Sequence, residues 1–442
     1  MVKVYLHNLG CARNIVDGEA MLGRLETAGH RIVDDADGAE AIIVNTCGFI
    51  DAASEESVDA ILELAQLKSG GTCRRLIVTG CLPQRYQDDL PAELPEVDAF
   101  LGTGAYDRVV AAVNGEMENG ACLLPDPASL PLHTRHTMRV QTSYPVAYVK
   151  VMEGCNRNCT YCIIPKLRGR LRSRPPEDII EEAATLSLSG FSEIVLIGQD
   201  TTSYGYDLHP GDNLAGLITG AAQSAPGSWI RFLYGHPDRI DSDLLEAVRK
   251  HPNVCPYFDI PIQHVSPTIL KRMGRGSHDG GFFEALFSRI REAVPGAALR
   301  TTVMTGFPGE TEDDFLQMYD FVKKIGFDHL GAFVYSDAED LASHRLSHHV
   351  PADVAEERMD RLMSLQSEIA LGKNEAYVGR EFTVLVEEDQ QDGSFIGRTM
   401  FQAPEVDGIT VVYARERDLA VGQFINVRIT DATEYDLEGV PA

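Results

Sequence analysis

The sequence predicts an α/β protein in three parts: an N-terminal open parallel α/β sheet, a central partial (β/α)6 barrel and a C-terminal small antiparallel β-barrel. Strand and helix patterns alternate in the first part, and a second alternating series begins at about Val146. Residues 380–442 contain only short β runs separated by Gly and Asp. We predict domains over residues 1–118, 141–378 and 379–442, with a linker over 119–140.

Three segments of the first part have the pattern of buried parallel strands: VKVYLHN, AEAIIVNT and RRLIVTG. Amphipathic helices are predicted from Asn14 to Ala28 and from about Asp51. Prolines at positions 125, 127 and 131 interrupt the chain after this part, which indicates an irregular linker.

The central part contains six further strand patterns: VAYVKVM, SEIVLIG, WIRFLYG, CPYFDI, ALRTTVMTG and DHLGAFVY. Barrels of this kind bind their ligands at the C-terminal ends of the strands. A charged helix from about Ala352 to Tyr377 ends this part. Four β runs then predict the small terminal barrel: EFTVLVEE, SFIGRTM, GITVVYA and FINVRIT.

Composition limits the class of protein. Hydrophobic residues make up 44% of the chain, which is enough to build a core, and no apolar run approaches the roughly 18 residues of a membrane span. The N-terminal MVKVYLHNLG has no signal-peptide pattern. We therefore expect a cytoplasmic protein, in which the nine cysteines are metal ligands rather than disulfides. A formal charge of -27 disfavours binding to phosphate backbones and suits a basic partner or a small molecule.

The strongest local pattern is EGCNRNCTYCIIP, in which Cys155, Cys159 and Cys162 form C-x-x-x-C-x-x-C after the first barrel strand. Three thiolates on a tight loop suit an iron–sulfur cluster and leave one iron without a protein ligand. A structural zinc site is the alternative, but a closed zinc site needs four ligands, and no suitable fourth Cys or His lies nearby in sequence.

A second set of three cysteines is spread along the first part of the sequence. Cys11, Cys47 and Cys81 each follow a predicted strand of the first part, in HNLGC, VNTCG and VTGC. Because the ends of parallel strands share one edge of a sheet, we expect the three thiols to meet there. Taken singly, each could instead be an ordinary buried thiol. Three other cysteines lack this placement and are expected to be structural: Cys73, Cys122 and Cys255.

Both cysteine sets, together with the terminal β-barrel, resemble the methylthiotransferase family of radical S-adenosylmethionine (SAM) enzymes over nearly the whole chain. The resemblance implies two [4Fe–4S] clusters: a radical SAM cluster on the barrel cysteines and an auxiliary cluster on those of the first part. It also implies that the terminal barrel is a TRAM-like domain that docks the macromolecular substrate. One SAM would serve as radical source and another as methyl donor.

Two further segments resemble family segments that contact SAM, although less specifically than the cysteine motifs. LIGQDTTSYG resembles the family segment near the SAM amino group, which implies roles for Gly198, Gln199 and Asp200. RTTVMTGFPGET resembles the segment that packs on the adenine, near Met304 and Gly306. No acid–base pair is expected beyond the cluster ligands, because hydrogen abstraction by a radical requires none.

The family has two branches, which modify either adenosine in transfer RNA or an aspartate of small-ribosomal-subunit protein twelve. LGCARNIVDGEAM and GRTMFQAPEVDGITVV resemble the ribosomal-protein branch. That likeness implies methylthiolation of the aspartate β-carbon, with the basic ribosomal protein as partner. It also implies an electron donor such as a flavodoxin or ferredoxin.

Charge supports the same branch. Residues 380–442 carry five arginines and no lysine against thirteen Asp and Glu. A transfer-RNA dock requires basic residues, whereas an acidic barrel complements a basic protein, so we expect no direct transfer-RNA substrate. Glu387, Glu388 and Asp389 are interpreted as docking carboxylates, although acidic residues could simply keep the surface soluble. The alternatives are a transfer-RNA methylthiotransferase, an iron–sulfur electron carrier and a zinc-dependent scaffold.

Overall fold

The computed structural model describes residues 1–129, 131–133, 137–276, 278–415 and 419–442, without the side chain of Asp88. The elements of the first part are β1 (Lys3–Asn8), α1 (Ala12–Thr27), β2 (Arg31–Ile32), β3 (Ala41–Thr46), α2 (Asp51–Gly70), β4 (Arg75–Gly80), α3 (Cys81–Tyr86), α4 (Leu90–Glu93), β5 (Ala99–Gly102), α5 (Val109–Asn114) and β6 (Ala121–Leu123). All the strands are parallel and form one sheet in the order β2-β1-β3-β4-β5-β6. The sheet thus includes β6, a strand inside the range predicted as a linker.

Helices cover both faces of this sheet, which explains why β3 is buried along its whole length. Ile43 packs with α1 and α5 on one face, and Ile42 and Val44 pack with α2 on the other. The sheet therefore exposes its strand ends rather than its faces, and residues that follow the strands gather at one edge.

The central part contains all six predicted strands, with helices between them. Its elements are β7 (Val146–Lys150), β8 (Met152–Glu153), α6 (Ile164–Arg168), β9 (Arg172–Ser173), α7 (Pro176–Leu188), β10 (Glu193–Ile197), α8 (Leu214–Ser224), β11 (Trp229–Phe232), α9 (Ser242–Lys250), β12 (Tyr257–Asp259), α10 (Pro267–Arg272), α11 (Gly280–Ala293), β13 (Ala298–Thr305), α12 (Glu312–Ile325), β14 (His329–Val334) and α13 (Ala352–Glu375). Two parallel sheets, β7-β10-β11 and β12-β13-β14, are linked by a bridge between Ile230 and Val254 and form the partial barrel. The short β8 and β9 pair beside it.

The C-terminal part is a closed five-stranded barrel in the order β15-β16-β17-β19-β18. Its strands are β15 (Glu381–Asp389), β16 (Ser394–Thr399), β17 (Thr410–Tyr413), β18 (Phe424–Ala432) and β19 (Leu437–Pro441). The sequence pattern did not predict β19, because LEGVP contains both a glycine and a proline, which are weak strand formers. β19 pairs parallel with β17, and the other pairings of this barrel are antiparallel.

The small barrel closes the N-terminal end of the partial barrel. Arg398 is buried there and donates to Glu193, the first residue of β10, at 2.5 Å. Glu387 accepts from Nε of the same guanidinium at 2.9 Å, so this carboxylate is partly buried in an ion pair, and its role in docking stays a prediction. Arg231 adds a second ion pair to Glu193 at 2.5 Å. In the described residues, no helix combines the length and apolar character needed to cross a bilayer.

Candidate metal centre

Cys11, Cys47 and Cys81 lie at neighbouring strand ends of the first sheet. Cys11 directly precedes α1, Cys47 follows β3, and Cys81 is the first residue of α3, directly after β4. A Cβ at Gly10 would lie 2.9 Å from Cβ of Cys47, and one at Gly48 would lie 3.2 Å from the carbonyl carbon of Cys81, so the turns that carry the three cysteines touch. The structure therefore brings the distributed cysteines together.

Glycines precede two of these cysteines for steric reasons. Gly10 has φ +90°, and a Cβ there would lie 2.9 Å from Cβ of Cys47. Gly80 has φ +100°, and a Cβ there would lie 2.6 Å from the carbonyl oxygen of Thr46. Since only glycine adopts such backbone angles without strain, these two positions let the cysteine-bearing turns approach each other.

Cys155, Cys159 and Cys162 lie on the loop between β8 and α6, and all three are partly exposed. Backbone hydrogen bonds hold this loop to the barrel: the amide of Cys155 donates to Gly169 at 3.1 Å, and that of Thr160 donates to Met273 at 2.9 Å. The loop lies at the C-terminal side of β7, where barrels of this kind bind their ligands.

The two triads differ in electrostatics. Burial raises the pKa of Cys81 to about 11 and that of Cys162 to about 12. Burial acts in the same direction on Cys11, but the guanidinium groups of Arg13 and Arg168 outweigh it and lower the pKa of that thiol. The lowered pKa favours the thiolate form of Cys11, which is the form that binds metals.

The donor sets fit iron–sulfur clusters better than single ions. Each triad supplies three thiols, Cys11, Cys47 and Cys81 in the first domain and Cys155, Cys159 and Cys162 in the barrel. A closed structural zinc site requires four ligands, one more than either triad has. An iron–sulfur cluster instead distributes its cysteines over separate irons, and three cysteines leave one iron open. Both triads have this composition.

Arg13 connects the two triads. Its Nε donates to Sγ of Cys11 at 3.3 Å, and its Nη1 donates to the carbonyl oxygen of Gly198 at 2.8 Å. The guanidinium lies 4.4 Å from the ring centroid of Tyr234. Burial raises the pKa of Cys162, and the charge of Arg13 opposes that shift. Cys81 belongs to one hydrophobic cluster with Ile163, the residue after Cys162, so the two triads lie at a common interface.

The segment after β10 contacts an arginine beside each triad. Gly198 accepts the hydrogen bond from Arg13, and the carboxylate of Asp200 accepts from Arg157 of the cysteine loop at 3.0 Å. Gln199 donates through Nε2 to Glu153, while its Oε1 is buried and has no hydrogen-bond partner in the described part of the chain. The assignment of these residues to SAM stays a prediction.

Met304 and Gly306 lie at the end of β13, and their assignment to the adenine also stays a prediction. Met304 is half-buried. Gly306 has φ +74° and donates through its amide to Glu310 at 3.0 Å. A Cβ at Gly306 would clash with Ala355 of α13, so this glycine allows the helix to pack closely.

A buried charge network beside Cys81 was not recognised from the sequence. Lys150 donates to Asp17 at 2.5 Å and to Glu153 at 2.6 Å, and Arg168 donates to Asp17 at 2.5 Å. All four side chains are at most 11% exposed. A lysine within the strand pattern VAYVKVM was the available signal, because a charge in a buried strand requires a partner.

Family profiles match all three parts. Residues 3–102 match "Uncharacterized protein family UPF0004", residues 149–322 match the Radical SAM superfamily, and residues 378–441 match the TRAM domain. The three matches follow one another in the same order as the three structural parts.

Curated relatives extend the likeness over the whole chain. The protein named ribosomal protein uS12 methylthiotransferase RimO from Desulfosudis oleivorans is 49% identical over 99% of both chains. The protein of the same name from Clostridioides difficile is 44% identical over 99% of this chain and 98% of its own. The chain belongs to the RimO family of radical SAM methylthiotransferases.

A solved structure with much lower sequence identity has a similar fold. The radical SAM methyltransferase TsrM from Kitasatospora setae, with tryptophan and a SAM analogue bound, is similar with a TM-score of 0.56 at 15% identity. The match covers 75% of this chain and 73% of that chain. This likeness supports a shared fold.

Proposed function

We propose that this enzyme methylthiolates the β-carbon of an aspartate in ribosomal protein uS12, using two [4Fe–4S] clusters and SAM as both radical source and methyl donor. The supporting observation is the pair of cysteine triads at the domain interface, which Arg13 spans by hydrogen bonds to Cys11 on one side and to Gly198 of the barrel on the other. When bound, the barrel cluster would supply the electron that cleaves SAM to a 5′-deoxyadenosyl radical, and the auxiliary cluster would supply sulfur. The barrel cluster is assigned to Cys155, Cys159 and Cys162, and the auxiliary cluster to Cys11, Cys47 and Cys81.

The residues after β10 are suited to orient SAM. Because Nε2 of Gln199 donates to Glu153, the buried Oε1 of Gln199 is left as an acceptor without a partner in the described residues. A buried oxygen requires a hydrogen-bond donor, which the amino group of SAM would supply. Asp200 holds Arg157 and thereby fixes the cysteine loop. We assign Gln199 to the SAM amino group and Asp200 to loop positioning beside it.

Docking of the substrate is assigned to the small barrel. Arg398 is 2% exposed, so burial removes one of the five arginines of this barrel from its surface. Carboxylates at several positions remain exposed: Glu388, Asp389, Asp392, Asp431 and Glu434. A surface of this sign attracts a basic ribosomal protein and repels RNA. We accordingly propose a cytoplasmic enzyme with no direct transfer-RNA substrate, reduced by a flavodoxin or ferredoxin.

The test compares the two substrate classes side by side. Reconstituted enzyme, SAM and a chemical reductant are incubated with isolated small ribosomal subunits, with purified uS12 and with undermodified transfer RNA. Mass spectrometry should find a methylthio group replacing one hydrogen of a uS12 aspartate and no change in the transfer RNA. Modified transfer RNA beside unmodified uS12 would contradict the substrate assignment and would leave the family assignment intact.

A further inference from the structure

The barrel residue Arg168 reaches across the domain interface to the cysteines of the first sheet. Its Nη2 lies 3.7 Å from Sγ of Cys81 and donates to Oδ1 of Asn14 at 2.6 Å. Its Nη1 donates to Oδ2 of Asp17 at 2.5 Å. The side chain is only 4% exposed, so all of these interactions take place away from solvent.

The network that holds Arg168 continues to the other cluster loop. Asp17 accepts from Lys150, and Lys150 also donates to Glu153, which precedes Cys155 by two residues. The chain of contacts thus runs from a ligand of the auxiliary cluster to the loop of the barrel cluster. It includes two carboxylates and two cations, so its formal charges balance without the thiol.

Stability alone is a weak reason for such a network. Buried ion pairs lose much of their attraction to desolvation, and apolar replacements are often as stable, whereas fixed ionic geometry can specify one arrangement. Here the arrangement is the docking of the first sheet on the barrel. A cation beside a cluster ligand has a second effect, because hydrogen bonds and positive charge near the sulfurs stabilise the reduced cluster.

We propose that Arg168 is a positioning residue of the auxiliary cluster: held by Asp17 and Asn14, it donates to the Cys81 sulfur, fixes the first domain against the barrel and raises the reduction potential of that cluster. The inference rests on the proposed two-cluster function. It assigns a redox role to a barrel side chain that ligates no metal and belongs to the other domain.

The test isolates the auxiliary cluster in full-length protein that carries Cys155→Ala, so that the barrel cluster does not contribute. Arg168→Gln, Arg168→Lys and Asp17→Asn are added singly, and exposed Arg170→Gln is the matched control. After anaerobic reconstitution, iron content is measured and the reduction potential is determined by redox titration followed by electron paramagnetic resonance. Circular dichroism confirms that each variant is folded.

Arg168→Gln should lower the potential, Arg168→Lys should lower it less, and Arg170→Gln should leave it unchanged. Asp17→Asn removes a negative charge but keeps a side-chain oxygen that accepts from Arg168, so the guanidinium should stay beside Cys81 and the potential should rise. An unchanged potential in Arg168→Gln at full iron content would overturn the inference. So would a decrease in Asp17→Asn equal to that in Arg168→Gln, because it would indicate general loss of packing. If the Cys155→Ala parent itself held no iron–sulfur cluster, the two-cluster function would fail instead.

Discussion

The two cysteine triads are built in opposite ways. Cys155, Cys159 and Cys162 lie on one loop, whose backbone hydrogen bonds hold it to the barrel. The triad of Cys11, Cys47 and Cys81 instead comes from three turns of one sheet, and its thiols meet only when that sheet is formed. The barrel triad can therefore be predicted from residue spacing alone, whereas the distributed triad forms only in the tertiary fold.

Their charged neighbours differ as well. Arg157, beside the barrel triad, is engaged by Asp200 at 3.0 Å and by Asp238 at 2.9 Å. The distributed triad is contacted directly by Arg13 and Arg168, which lower the pKa of Cys11 against the effect of burial. Arg275 of the barrel also hydrogen-bonds Cys159, so the barrel triad has a cation from its own domain, whereas the distributed triad is contacted by Arg168 of the barrel as well as by its own Arg13.

The largest expected effect separates the tasks of the triads. Cys159→Ala should abolish reductive cleavage of SAM, because the cluster proposed for this loop would bind and reduce SAM. Cys81→Ala should retain some cleavage to 5′-deoxyadenosine but form no thiolated product. Chromatography of 5′-deoxyadenosine and mass spectrometry of the substrate measure the two outcomes. Complete loss of cleavage in folded Cys81→Ala protein would disprove this division.

Metal content should divide equally between the triads. Two four-iron clusters correspond to about eight irons per chain after anaerobic reconstitution. Cys155→Ala and Cys47→Ala should each remove about half of the iron, as measured by a colorimetric iron assay and absorption spectra. Stoichiometric zinc without iron–sulfur absorption would contradict the cluster assignment for both triads.

The sequence was most informative where structure is local. The spacing of Cys155, Cys159 and Cys162 needs no tertiary information, and the six barrel strands follow from their apolar pattern. The meeting of the other triad could be predicted because parallel strands end at one edge. The partners of Arg168 could not, since Asp17 lies 151 residues away and is brought close only by domain docking.

A smaller effect tests whether backbone geometry at Gly80 supports the distributed triad. Gly80→Ala adds a Cβ 2.6 Å from the carbonyl oxygen of Thr46 at φ +100°, and such backbone strain costs about 1–3 kcal/mol. Part of the auxiliary iron should be lost, with SAM cleavage retained. Gly29→Ala is the control, because φ is +84° there but no atom lies within 4 Å of the added Cβ. Equal iron in both variants would show that the close approach at Gly80 is dispensable.

The smallest effect should come from the exposed carboxylates of the small barrel, which are distant from the chemistry of both triads. Glu388→Lys with Asp389→Lys reverses two exposed charges and should slow modification of uS12 at low salt, leaving iron content and SAM cleavage unchanged. Exposed charges contribute only about 0–1 kcal/mol each, so a single reversal is too weak a test. Glu292→Lys with Asp320→Lys on α11 and α12 changes the net charge equally and is the control.

Salt dependence distinguishes docking from a change in the sites themselves. Screening acts over about 8 Å at physiological ionic strength, so the difference between the barrel variant and the wild type should shrink as salt is added. A defect in either cluster would persist at every salt concentration, because buried groups are screened much less than exposed ones. Initial rates of uS12 modification at several salt concentrations measure this. If the initial rate fell by the same factor in both double variants, net charge rather than the surface of the small barrel would govern the association with uS12.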